Sequence, residues 1–411
     1  MLWSKKKGGR NMALHTNEHG EFFVGLDQGK IYDFFKDRGF TFPPETITCY
    51  LLSLATKPFV ILTGISGTGK TKIAQVFADF ILQNETTTTK HNRKRFIPVR
   101  PDWMDNRGLL GFFNLLDERY HATPLLELLL QANGKEDQKD PFFVIMDEMN
   151  LARVEQYFSD FLSIMESRTP DNAGGERLRL HSFAEGKTTA GNLSVPPDIT
   201  IPMNVFFTGT VNVDESTYMF SPKVLDRANV IEFNDVRLDF DEDSGRRGQF
   251  ELRSDKQHIE EIVGILQSSC IPSRRDYEEA KTKNGSYKAT LQNLMDLLRE
   301  YNLHFGYRVI NEMSRFLLIA QECVENYSFE ETFDIQLLQK VLPKYHGTQG
   351  KLKKPLEGFL AFCYPGKVQY EDSLLSRATG FDRSARFPRS AKKIARMLEN
   401  LNTQGYCSFI E

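Results

Sequence analysis

Phe59-Val60-Ile61-Leu62-Thr63-Gly64-Ile65-Ser66-Gly67-Thr68-Gly69-Lys70-Thr71 passes from an apolar run into a glycine-rich turn, and Lys72-Ile73-Ala74-Gln75-Val76-Phe77-Ala78 follows with helical spacing. An apolar run that short, ended by glycine, reads as a buried strand, so the succession is strand, loop, helix. In that context Gly64 to Thr71 fits the phosphate-loop pattern of two glycines with four residues between them followed by Lys and Ser or Thr. The glycines Gly64, Gly67 and Gly69 let backbone N–H groups, including those of Ile65, Ser66 and Thr68, turn toward an anion, and the helix start adds its positive dipole. Lys70 is then expected on the β- and γ-phosphates of a nucleoside triphosphate, and Thr71 on Mg²⁺.

Two further apolar runs have the same form. Phe142-Phe143-Val144-Ile145-Met146 ends in Asp147-Glu148, and Val205-Phe206-Phe207-Thr208-Gly209-Thr210 ends near Asn212. Three strands with polar residues at their carboxyl ends describe a parallel α/β sheet with its ligand at the strand tips. Asp147 is expected to hold Mg²⁺ through water, and Glu148 to orient and polarise the attacking water.

Around this core the expected organisation is a flexible tail over residues 1–35 and an α/β nucleotide-binding core over 36–236. A linker is expected over 237–256 and an all-helical lid over 257–411. Pro43-Pro44 marks the start of the first core helix. The Gly-, Thr- and Pro-rich stretch 170–202 reads as a β-hairpin insertion. Within 103–123, Gly108-Leu109-Leu110-Gly111-Phe112-Phe113 fits either an exposed pore loop or packing on the core. The run Lys90-His91-Asn92-Arg93-Lys94-Arg95 reads as a solvated loop.

Composition narrows the function classes. With 411 residues and 40% apolar content the chain is long enough for two or three packed domains. Its 52 Lys and Arg against 55 Asp and Glu leave a net charge of −3, so no global basic field favours nucleic acid. The five cysteines, Cys49, Cys270, Cys323, Cys363 and Cys407, have neither zinc nor disulfide spacing, which fits a reducing cytoplasm. The basic opening Met1–Lys7 leads into polar residues, and no run approaches the roughly 18 apolar residues of a membrane span. No leader and no membrane segment are expected.

Taken together, these motifs resemble the AAA+ nucleoside triphosphatases, and within them the McrB-like branch, the motors of modification-dependent restriction systems. The resemblance spans roughly residues 40–400. It is carried by Ile61–Thr71, by Met146-Asp147-Glu148-Met149-Asn150-Leu151-Ala152 and by Gly209-Thr210-Val211-Asn212-Val213-Asp214-Glu215-Ser216. In that clade, also similar to MoxR, midasin and dynein modules, hairpins are inserted in the second helix and before the first sensor, which implies insertions near 103–123 and 170–202. The resemblance further implies that Asn212 is a sensor of the γ-phosphate or lytic water, with Asp214 and Glu215 beside it. Arg227 is implied as an arginine finger for a neighbouring subunit, and Arg308 as a second sensor closing from the lid, with Arg386 and Arg389 competing for that role.

At the level of assembly it implies a homo-oligomeric, hexameric ring working with a separate McrC-like nuclease, acting on double-stranded DNA through the complex. Two departures bear on this. McrB proteins carry an Asn-Thr-Ala-Asp signature where this chain has Asn212-Val213-Asp214-Glu215, so either ATP or GTP fits as substrate. Residues 1–40 offer no counterpart of the base-reading domain, which assigns target reading to a partner. The alternative function is a MoxR- or midasin-like protein-remodelling ATPase.

Overall fold

The protein's structure, a computed structural model, describes residues 13–16, 22–25, 30–134, 140–169, 172, 175–182, 189–190, 193–213, 218–234, 250–268, 271–367 and 369–410. Its centre is a five-stranded parallel sheet: β1 (Phe59–Gly64), β2 (Lys94–Pro98), β3 (Phe142–Asp147), β4 (Val205–Asn212) and β5 (Asn229–Glu232), in the order β5-β1-β4-β3-β2. The parallel register sets Asn212 beside Gly64 and Gly209 beside Met146, so all strands end on one side of the molecule.

Alternation along each strand sends side chains to opposite faces. Val60, Leu62, Phe143, Ile145 and Phe206 join one apolar core, while Phe59, Ile61, Val144, Met146 and Phe207 join the other. Helices α1 (Pro44–Thr56) and α2 (Lys70–Ile81) cover the first face. Burial on both faces explains why the strands read as unbroken apolar runs. Helix α3 (Ser159–Ser167) supplies Phe161, Leu162 and Ile164 to the second core.

Several boundaries differ from expectation. The expected tail over 1–35 overlaps a helix, Ile31–Asp37, whose Ile31, Phe34 and Phe35 are buried against the core. An antiparallel strand pair, Ala13–Thr16 with Phe22–Gly25, lies further upstream. Lys90–Arg95 is not a loop: it ends a helix, Thr87–Arg93, and begins β2. Its cations are paired, Arg93 with Glu85 and Asp140 and Lys94 with Asp79, and Arg95 is buried and donates to the Pro124 carbonyl at 3.3 Å. Of the linker, 237–249 lies outside the described residues, but Phe250 and Leu252 are buried, and Leu252 bridges to Val324.

Both insertions contain strand pairs. Gly111–Asn114 pairs with Arg119–Ala122. Leu178–Arg179 pairs with Asp198–Ile199, with a second pair, Thr189–Ala190 and Leu193–Ser194, between them in sequence. The first insertion divides the two uses foreseen for it. Leu109, Leu110 and Tyr120 are buried, whereas Leu115 and Leu116 at the hairpin tip are 75% and 95% exposed.

The C-terminal part is dominated by helices, including α4 (Tyr307–Cys323) and α5 (Pro388–Gln404). It is not all-helical, because His346–Thr348 and Tyr406–Ser408 form a short antiparallel pair. Among the described residues no helix is long and apolar enough to cross a membrane.

Candidate functional site

The site lies where β1, β3 and β4 end. β1 delivers the chain to Gly64, at φ +144°, where a Cβ would stand 2.4 Å from the Phe233 carbonyl oxygen. Gly67 and Gly69 also take positive φ, and Gly69 leads directly into α2. The loop is braced from the segment just past β5, since Asn234 Oδ1 accepts from the Ile65 backbone N–H at 3.2 Å. Within it the Thr68 hydroxyl donates to the Ile65 carbonyl at 3.0 Å. Lys70, 5% exposed, donates to the carbonyls of Gly64 at 2.9 Å and Ile65 at 2.6 Å. Burial lowers the pKa of its ammonium, while Asp147 and Glu148 act in the opposite direction.

Thr71, on the first turn of α2, donates to Asp147 Oδ1 at 2.8 Å, and Thr210 of β4 donates to the same oxygen at 2.7 Å. The Thr210 hydroxyl also accepts from the Glu148 backbone N–H at 3.1 Å. One side chain on β4 thus holds both acidic residues at the end of β3. Glu148 takes φ +49°, a left-handed backbone rare outside glycine, and such strain is most often kept where it aims a functional group. Asn212 Nδ2 donates to Glu148 Oε1 at 3.0 Å. Asn150, itself buried, donates to the Asn212 carbonyl at 3.1 Å.

Chemically, this is a glycine-rich loop at a helix start with one ammonium, beside a hydroxyl–carboxylate pair and a carboxylate held by a side-chain amide, and a helix start of this kind suits an anion. Thr71 and Asp147 in direct contact form an oxygen donor pair suited to a hard divalent cation such as Mg²⁺, which takes one or two protein oxygens and completes its shell with phosphate and water. Among the described residues no group of three or more His, Cys, Asp or Glu forms a separate metal cage.

Not every anticipated residue gathers here. Asp214 and Glu215 lie outside the described residues. Arg227 precedes β5, whose first residue Asn229 is in register with Val60 near the start of β1. Four residue steps separate Val60 from Gly64, a run of roughly 13 Å, so Arg227 stands at the edge where the strands begin, at the far end from the glycine-rich loop. There it pairs with Glu166 and donates to the Lys223 carbonyl. Arg308, expected over the phosphates, stands at that same far edge, paired with Glu166 and Asp226. Its placement corrects the expectation of a lid arginine closing on the loop of its own chain.

Of the two competitors, Arg386 binds Thr290 within the helical part. Arg389, at the start of α5, pairs with Glu45 on the first turn of α1 and with Glu331. Three residues before Glu45, the Phe42 ring lies against Gly69, within 2.8 Å of where a Cβ would stand. One turn along α5, Lys393 donates to Glu232 Oε1 at 2.6 Å, and Glu232 also pairs with Asn234, the brace on Ile65. From the C-terminal helical part, Arg389 and Lys393 thus pair with Glu45 and Glu232, whose neighbours Phe42 and Asn234 contact the loop.

Thr210, Asn150, Asn234 and Lys393 were missed by the sequence reading. Thr210 alone carried a signal, standing two residues before Asn212 and hence on the same face of β4.

Residues 259–406 match a domain of unknown function (DUF8727). The match covers Arg308, Arg389 and Lys393 and leaves the glycine-rich loop and the end of β3 outside it. No curated protein matches the chain.

Proposed function

We propose that this chain is a Mg²⁺-dependent P-loop nucleoside triphosphatase of the AAA+ type, acting as the motor or switch of a McrBC-like restriction or phage-defence complex. The observation that carries the hydrolytic part is the convergence of Lys70, Thr71, Asp147, Thr210, Glu148 and Asn212 where three parallel strands end. The strand order β5-β1-β4-β3-β2 and the two hairpin insertions support the AAA+ assignment.

In this reading Lys70 leaves the loop carbonyls for the β- and γ-phosphates of ATP or GTP, and the loop amides take the remaining phosphate oxygens. Thr71, and Asp147 through water, would hold Mg²⁺, which would supply neutralisation of phosphate charge. Glu148 holds and polarises the attacking water, and Asn212 fixes the direction of its carboxylate. Arg227 lies too far from its own loop to take part there, so its guanidinium serves the nucleotide of a neighbouring copy, which calls for a ring, hexameric by family resemblance. A nuclease and duplex DNA complete the assembly as partners, and the cytoplasm is the matching compartment.

A second reading, a MoxR- or midasin-like protein-remodelling ATPase, is favoured by the exposed apolar tip at Leu115 and Leu116. Steady-state hydrolysis of ATP and GTP by the purified chain, with and without duplex DNA and with Lys70→Ala as control, tests the proposal. Turnover that depends on Lys70 and rises with DNA supports the restriction motor. Turnover indifferent to DNA and raised by an unfolded protein client supports remodelling. Absence of turnover of either nucleotide overturns both.

A further inference from the structure

The far edge of the sheet carries a second set of charges, of which Lys57, Glu312 and Lys340 are buried and play no part in the chemistry above. Lys340 lies in a π-helical segment, Leu337–Val341, and its side chain is fully buried. Its ammonium donates to the Ala228 carbonyl at 2.9 Å and the Asp226 carbonyl at 3.3 Å, the carbonyls of the residues just after and just before Arg227. It also pairs with Glu312 Oε2 at 2.5 Å. An ammonium has three N–H donors, and Lys340 gives two of them to these carbonyls while its charge faces Glu312. Glu312, one turn after Arg308 on α4, pairs through its other oxygen with Lys57 at 2.5 Å, just before β1. Asp226 meanwhile takes Lys344 and Arg308.

Five cations, Lys57, Arg227, Arg308, Lys340 and Lys344, thus face three carboxylates, Glu166, Asp226 and Glu312. Apolar packing would stabilise a buried junction at least as well as such a cluster, whereas charges with fixed partners specify position. The position specified here is that of the backbone at residue 227. Helical widening of the π type often marks functional places, and this one directs Lys340 onto those carbonyls without engaging the Arg227 guanidinium.

We propose that Lys340 is a positioning residue for Arg227: the C-terminal helical part grips the carbonyls of the residues before and after that arginine and sets where its guanidinium stands relative to the nucleotide of a second copy of this chain. The proposal rests on the reading in which Arg227 serves a neighbouring copy.

The test uses full-length Lys340→Met, Arg227→Ala and Glu148→Gln, alone and mixed, with ATP and GTP. Lys340→Met is expected to bind nucleotide like the wild type and to lose turnover on the order of 10²-fold, the scale of a 1 Å misplacement. Mixed with Glu148→Gln, which has a dead site but an intact arginine face, it is expected to regain turnover, as is Arg227→Ala. A residue that merely supported its own chain's fold or site would show no such rescue. Wild-type turnover by Lys340→Met, or no gain on mixing, overturns the proposal while leaving the hydrolytic reading intact. Absence of wild-type turnover overturns both. Should Lys340→Met fail to fold, Lys340→Arg keeps the charge beside Glu312 but cannot place donors on both carbonyls, and the same loss and rescue are required of it.

Discussion

Asn212 donates its side-chain amide to Glu148 Oε1 at 3.0 Å, joining the end of β4 to the residue that follows β3. The hydrogen bond fixes one carboxylate oxygen of Glu148 and leaves the other to accept a proton. In the proposed hydrolysis, Glu148→Gln keeps the shape and loses the base, so turnover is expected to fall by about 10²–10⁴-fold with nucleotide binding retained. Asn212→Ala is expected to reduce turnover less. Paired hydrolysis assays and equilibrium nucleotide titrations separate the two effects.

Thr210 donates to Asp147 and accepts from the Glu148 N–H. Thr210→Val keeps the volume but leaves that N–H and the carboxylate without the shared hydroxyl, at a cost of about 1–3 kcal/mol. Urea unfolding should show the loss, and Thr210→Ser should restore most of it.

Gly64 and Gly67 make a controlled comparison. Both have positive φ, but a Cβ at Gly64 meets the Phe233 carbonyl oxygen whereas one at Gly67 meets nothing within 4 Å. Gly67→Ala is expected to cost about 1–3 kcal/mol of backbone strain. Gly64→Ala adds a backbone collision that no side-chain rotation relieves, so its melting temperature is expected to fall further and its nucleotide binding to be lost.

Glu312 links acid stability to the far edge of the sheet. Burial pushes its carboxyl up, but Lys340 and Lys57 outweigh that and bring it down to about 2 from an ordinary 4.5. A carboxyl with a depressed folded pKa contributes stability that is present above its unfolded value and lost as pH falls through the folded one. Glu312→Gln leaves Lys57 and Lys340 without their shared counter-charge and is expected to cost about 3–5 kcal/mol near neutral pH. In melting curves against pH, the gap between wild type and Glu312→Gln should close between pH 4.5 and 2.

Local pattern accounts for much of the fold and less of the site. β1, β3 and β4 were legible because strands buried on both faces leave unbroken apolar runs. β2 was not, because Lys94 and Arg95 sit in an edge strand whose cations find Asp79 and the Pro124 carbonyl, partners that a linear reading cannot supply. β5 is four residues long and follows a cluster of charges, so no period could develop.

The sequence by itself determined the strand–loop–helix of residues 59–81, the acidic pair that ends β3 and the parallel α/β class, because each depends on neighbours in the chain. Only the tertiary structure decided which arginine stands where. Arg308 meets Glu166 across 142 positions, and Arg389 meets Glu45 across 344. Ion pairs form between whichever charges the packed helices bring together, and that juxtaposition follows from burying two apolar faces of one sheet rather than from any spacing along the chain.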